Sequence, residues 1–283
     1  MKLIKSLTTI TLLSLLAVSC DVIDEPYMVD VNNSSTIASR DSSFQRIALL
    51  EEFTGHYCSN CPAAAAIAAQ LHSLYGKRFL IIAYHSGIFA RVDSDFTTDY
   101  TTPTSDELYA YFGNPNNPAG VINRINNGGF IVGSTDWGTV AAQQLGIAGD
   151  AAVGLVAEVS YNEDNRGISV AVDVKAQEAV SYPVWICAYI TESGLISKQK
   201  TNDLTTYPDG TITKYEHKHV FRQALNGTWG SVIAETMSEG QVANKVITGT
   251  LNNISVAAGC ELIVFAYNKT NGEILQAVAL SLE

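Results

Sequence analysis

Cys58-Ser59-Asn60-Cys61 carries two thiols three positions apart. At that spacing one sulfur can attack a disulfide and the other can resolve the mixed product. The pair lies between an apolar run, Ile47 to Phe53, and an alanine-rich stretch, Pro62 to Tyr75. The run reads as a buried strand and the stretch as a helix with Pro62 in its first turn and Gly76 at its stop. A cysteine at a helix start meets orphan backbone N–H groups and the positive end of the helix dipole. Both favour a thiolate, so Cys58 is the expected nucleophile and Cys61 the resolving thiol. Zinc is the rival use, but a structural site takes four ligands and no second Cys-x-x-Cys exists. The sequence calls for no metal and no cofactor.

The elements that must position this pair alternate. Strands are expected at Ile47 to Phe53, Arg78 to Tyr84 and from Ala119, with helices at Pro62 to Tyr75, Asp106 to Phe112 and Asp136 to Leu145. Such alternation predicts an α/β layer over residues 44–150. From Ala151 the pattern becomes short strands with polar turns, which predicts an all-β sandwich-like domain over 151–283. Cys187 and Cys260 fall on two of these strands. They are candidates for a second disulfide, with buried thiols as the other reading.

The pair and its surroundings resemble the thioredoxin fold. Glu52-Phe53 stands six residues ahead of Cys58, in the register of that family's acid and phenylalanine. The resemblance implies that Glu52 relays the proton of the resolving thiol. It also implies a cis-proline opposite the cysteines, for which Pro118, directly before an apolar strand, is the better candidate than Pro115. Ser59-Asn60 and Tyr57 depart from thioredoxin itself, and Ser86 to Pro103 is an extra polar piece.

The N-terminus adds location. Lys2 and Lys5, an apolar stretch from Leu7 to Val18 and small residues before Cys20 mark an export signal over 1–19. The stretch is shorter than the roughly 20 residues that span a bilayer. The cysteine at the cut makes it similar to a bacterial lipoprotein signal, which implies lipid attachment at Cys20. Residues 20–43 read as a flexible tether. Losing Lys2 and Lys5 takes the formal charge from -11 to -13, and no basic run remains. Nucleic acid is therefore excluded as an expected partner.

Several motifs, in order, resemble the twenty-eight-kilodalton outer-membrane-protein family of Bacteroidetes. They are Thr54-Gly55, Cys58-x-x-Cys61-Pro62, Pro118 to Arg124, His217-x-His219-Val220-x-Arg222 and Gly227-x-Trp229-Gly230. The resemblance implies an outer-membrane lipoprotein with a thioredoxin-like domain and a β-rich C-terminal domain. No series of membrane strands with aromatic girdles accompanies it. Two functions follow from the sequence. One is a membrane-tethered thiol–disulfide oxidoreductase acting on exported proteins through Cys58, Cys61, Glu52 and Pro118. The other is a non-catalytic surface binding lipoprotein in which Cys58–Cys61 is a staple.

Overall fold

The computed structural model describes residues 42–282, apart from 127, 148, 253, 255 and 256. The export signal, Cys20 and nearly all of the tether lie outside the described residues.

The first strands form where apolar runs are continuous. β1 (Ala48–Thr54) and β2 (Phe79–His85) are buried along their whole length and pair in parallel, with Leu50 opposite Ile81. Burial on both faces is what a central parallel pair requires. α1 (Cys61–Tyr75) makes the crossover between them, and Gly76 closes it at φ 57°. α2 (Pro103–Tyr111) starts at Thr102, whose hydroxyl accepts from the Ser105 amide at 3.0 Å. β3 (Ala119–Ile122) runs antiparallel to β1, with Glu52 opposite Gly120. α3 (Trp137–Gly146) then packs Trp137 against Gly120, where an added Cβ would lie 2.6 Å from the indole nitrogen.

Ten more strands follow: β4 (Val153–Asn162), β5 (Gly167–Ala176), β6 (Val184–Glu192), β7 (Leu195–Lys200), β8 (Thr211–His217), β9 (Val220–Ala224), β10 (Ser231–Ala234), β11 (Val242–Thr250), β12 (Cys260–Asn268) and β13 (Ile274–Ser281). They correct the expected fold class. An α/β thioredoxin-like domain followed by a separate sandwich is not what forms. The fold is β-rich, and its largest sheet is shared by strands from both sides of residue 150, in the order β13-β12-β6-β9-β2-β1-β3, with β10 pairing β6. The physical reason is β9. It pairs β2 in parallel through Val220 and Ala83 and β6 antiparallel through Val220 and Glu192.

Three clusters of buried side chains fill the layers. β11-β5-β4 is a second sheet, and it packs Val170, Val172 and Val174 against Ile186, Ile190 and Val264 of the large one. The opposite face of the large sheet holds Phe53, Tyr84, Tyr189 and Phe265 against Leu108 of α2 and Phe112 just beyond it. α1 and α3 cover Leu50, Phe79 and Ile81 on the remaining face.

The proposed Cys187–Cys260 staple does not form. In the β6–β12 register Cys187 stands opposite Phe265, and Cys260 opposite Glu192. Five residues of strand, about 17 Å, separate those positions, whereas a disulfide needs Cα atoms within about 7 Å. The odd spacing also turns the two thiols to opposite faces, into different clusters. Burial pushes both thiols up to about 12.

One buried ion pair ties β3 to β1. Arg124 gives Nε to Glu51 Oε2 and Nη2 to Glu51 Oε1, each at 2.6 Å, and the Tyr84 hydroxyl donates to Oε1 at 2.9 Å. Asn123 and Arg124 adopt left-handed backbone, φ 50° and 52°. The Asn123 side chain holds that turn, accepting from the Leu49 amide at 2.8 Å and donating to the Ile47 carbonyl at 2.9 Å. Removing one partner of such a pair leaves a buried charge uncompensated. Glu51→Gln therefore costs about 3–5 kcal/mol in urea unfolding, and Glu51→Leu combined with Arg124→Met recovers most of it. A single-variant loss under about 1 kcal/mol, the scale of a surface pair, contradicts this.

Candidate functional site

The cysteine loop is built tightly before any side chain is considered. An added Cβ at Gly55 would sit 2.4 Å from the Phe89 carbonyl oxygen, so only glycine fits that approach. The Cys58 amide donates to the Gly55 carbonyl at 3.0 Å, and the Cys61 amide to the Cys58 carbonyl at 3.2 Å. Asn60 caps α1 with helical backbone and no side-chain capping bond, its Oδ1 accepting instead from the Asn202 side chain, and Pro62 sits in the first turn. Cys58 and Cys61 form a disulfide with Cα atoms 5.3 Å apart. Both are 2% exposed, while the Ser59 and Asn60 between them face solvent.

Two segments pack against the loop that carries the bond. From one side comes the β7–β8 hairpin. The Lys200 amide donates to the His56 carbonyl at 2.7 Å and the Asn202 amide to the Ser59 carbonyl at 3.0 Å. Buried Gln199 donates Nε2 to the Cys58 carbonyl at 3.0 Å. From the other side comes the polar insert that follows β2. Phe96 stacks on His56 at 5.1 Å and meets Tyr57 at 4.3 Å. Arg91 lies 3.7 Å over the Tyr57 ring. The peptide bond Asn117–Pro118 is cis, and the Phe53–Ala119 pairing sets Pro118 beside Thr54. The Asn117 side chain donates to the Thr54 carbonyl at 2.9 Å.

Behind the disulfide lies a cavity of about 370 Å³. One wall is Ala65, Ala66 and Ala69 of α1; the other is Tyr215, His217 and His219 at the end of β8. Glu52, His85 and Cys61 also line it. Successive residues of a strand face opposite ways, so Glu51 meets Arg124 while Glu52 faces this cavity. Burial alone raises the Glu52 carboxyl to about 8, and its Oε1 is buried without a hydrogen-bond partner. Burial, then His217, His56 and Arg222, hold His85 well below the usual imidazole range, and neither ring nitrogen has a hydrogen-bond partner. Burial, then His56, lowers His217 to about 4, and its Nε2 meets the Ser197 hydroxyl at 2.9 Å. His219 also falls to about 4, through burial, then His72 and Lys218.

At neutral pH the cavity thus presents a protonated carboxyl and uncharged imidazoles, with the Glu216–Lys218 pair, 3.4 Å apart, elsewhere in its lining. Such groups offer paired donors and acceptors without net charge. Among the described residues no group of three His, Cys, Asp or Glu is arranged to hold a metal. His217 and His219 do not share a strand face. β8 ends at His217, and His219 turns left-handed at φ 53° to contact His72, while His217 packs on His85 and Tyr100.

Sequence reasoning brought Cys58, Cys61, Glu52 and Pro118 to one neighbourhood. It missed the hairpin, because β7 and β8 are half-exposed and mixed in polarity. It missed Glu51 and Arg124 as partners. An acid inside an otherwise apolar run was the available signal.

A Glu52→Gln variant isolates the buried acid. The wild-type folded carboxyl is raised from 4.5 to about 8, so its neutral form stabilises the fold below 4.5 and that stability is lost as pH rises through 8. The lowered histidines act oppositely, losing stability as pH falls from 6.5 toward 4, and they do so in both proteins. The variant is therefore increasingly more stable than wild type from pH 5 to pH 8, by up to about 4 kcal/mol. Denaturant titrations at several pH values measure the gap, and a gap independent of pH contradicts the assignment.

Comparison with known proteins adds the lineage. A family model described as Outer membrane protein Omp28 matches residues 105–282. No curated protein matches. Among solved structures, HBP35 of Porphyromonas gingivalis is similar with a TM-score of 0.63 and 17% identity, over 84% of this chain and 76% of that chain. That likeness shows a shared fold. A protein from Agrobacterium tumefaciens aligns at TM-score 0.49 and 12% identity, over 84% of this chain and 96% of that one. A domain of the outer membrane lipoprotein Omp28 from Porphyromonas gingivalis aligns at 0.32 and 19%, over 47% of this chain and 89% of that one. The family match begins after the disulfide and takes in Arg124, β8, β9 and Trp229.

Proposed function

Because the chain belongs to the Omp28 family of outer-membrane proteins, we propose that it is a lipid-anchored binding protein of the cell envelope whose Cys58–Cys61 bond is structural. Cys20 carries the lipid, which is its link to the membrane. The observation that carries the reading is the closure of the disulfide. Cys58 and Cys61 are each 2% exposed, and main-chain bonds from the β7–β8 hairpin hold the His56 and Ser59 carbonyls beside them. Thiol exchange needs an attacking sulfur to reach one of them from solvent, and a reactive cysteine is characteristically part-exposed.

The cavity behind the disulfide is the binding site in this reading. Its volume falls within the range of small-molecule pockets, and it joins an apolar wall to a few polar groups. A neutral carboxyl and a neutral imidazole, each with unused capacity, match an uncharged ligand with one donor and one acceptor, such as an amide.

The competing reading is an oxidoreductase acting on exported proteins, and insulin reduction separates the two. With dithiothreitol present, the protein precipitates insulin no faster than dithiothreitol alone. A clear acceleration that is lost in Cys58→Ala/Cys61→Ala overturns the binding reading. The same double variant folds and loses about 2 kcal/mol, the chain-entropy value for so short a loop. Cys20→Ser shifts the protein from the outer-membrane fraction to the soluble fraction; unchanged fractionation contradicts lipid attachment at that residue.

A further inference from the structure

On the opposite face of β1 from Glu52 lies a second cavity, of about 180 Å³. Arg124 forms part of its lining, with Tyr111, Phe130, Trp229 and Tyr267 around it and Lys269 beside them. Arg124 spends Nε and Nη2 on Glu51. Its third nitrogen, Nη1, is buried and has no hydrogen-bond partner. A buried guanidinium nitrogen without an acceptor is costly, and the guanidinium is set among rings, its Cζ 5.2 Å from the Phe265 centroid, 5.8 Å from Tyr267 and 5.9 Å from Trp229. The Lys269 ammonium stands 4.5 Å over Trp185 and 5.6 Å over Trp229.

The site is built before any ligand arrives. The Tyr267 hydroxyl donates to the Trp229 carbonyl at 2.7 Å, and Trp229 Nε1 donates to Glu107 at 2.6 Å. Gly230 follows at φ 70°, so close to β6 that an added Cβ would lie 2.0 Å from the Ile186 carbonyl oxygen. The charges of Glu51 and Arg124 offset each other, which leaves the Lys269 ammonium as the uncompensated charge of the lining and Arg124 Nη1 as a donor without an acceptor. Lys269 disfavours a cationic ligand, although aromatic walls alone would welcome one.

We propose that this cavity receives the carboxylate of a small aromatic acid, held by Arg124 Nη1 and Lys269 Nζ with its ring among the surrounding aromatic side chains. The volume suits one ring: an apolar cavity of about 150 Å³ holds benzene. A carboxylate gives the Arg124 nitrogen the charged acceptor it lacks, and such charge-assisted bonds are the strong ones. This goes beyond the amide-binding cavity at Glu52, and neither depends on the other.

Benzoate is the probe, and benzamide, its uncharged isostere, is the control. The readout is the Trp229 indole N–H resonance in the intact chain, assigned with Trp229→Phe. Benzoate shifts it saturably, and benzamide binds about tenfold more weakly or less, since a charged hydrogen bond is worth about that factor. Lys269→Met, at a side chain that no ion pair among the described residues engages, weakens benzoate about tenfold and leaves benzamide unchanged. Tyr111→Ala, at a residue 53% exposed, weakens both. Equal affinities, no saturable shift with benzoate, or a Lys269→Met variant that binds benzoate as wild type does would each overturn the proposal.

Discussion

β9 is the constraint on which the rest of this molecule depends. Val220–Ala224 sits between β2 and β6, and through it the large sheet becomes continuous. The Ala83 amide donates to the His219 carbonyl at 2.8 Å, which fixes the turn just before β9 against β2. That turn is left-handed at His219, and it fixes where β8 ends. The β7–β8 hairpin is therefore delivered over the cysteine loop, where Gln199, Lys200 and Asn202 take up the carbonyls of Cys58, His56 and Ser59. The closed disulfide and the wall of the Glu52 cavity are two results of one strand insertion.

Neighbouring acids on β1 show how environment divides identical chemistry. Glu51 and Glu52 are both fully buried. Desolvation acts on both, and it disfavours the charged form. Glu51 has a guanidinium in bidentate contact and a tyrosine hydroxyl, so its charge is held. Glu52 has neither, so burial keeps it protonated. The strand thus presents an ion pair to one layer and a neutral carboxyl to the other. Glu52 therefore adds no charge to its cavity, and Arg124 comes to the other one already paired.

Much of this was legible in the sequence, within limits set by physics. The apolar runs of β1 and β2, the alanine face of α1 and the alternation along β5 are local signals, and the elements form where those signals lie. Pro118 follows a cis bond, and the apolar strand β3 begins directly behind it. What local pattern does not encode is which strands become neighbours. β9 is five residues long, and its pairing with β2 joins segments far apart in the chain. Without it, alternating strands and helices read as a closed α/β domain. The same gap explains Cys187 and Cys260: periodicity places both on strands, but only the register reveals their separation. Polar, half-exposed β7 and β8 gave no apolar alternation to detect.

The account rests on the disulfide being inaccessible while the protein is folded. The most direct measurement is the rate at which dithiothreitol and iodoacetamide together label Cys58 and Cys61, followed by mass spectrometry across sub-denaturing urea. If the hairpin seals the bond, labelling in water is slow and rises with urea in step with the population of the opened chain. Rapid labelling in the absence of urea, indifferent to stability, would contradict the sealed site and with it a purely structural disulfide.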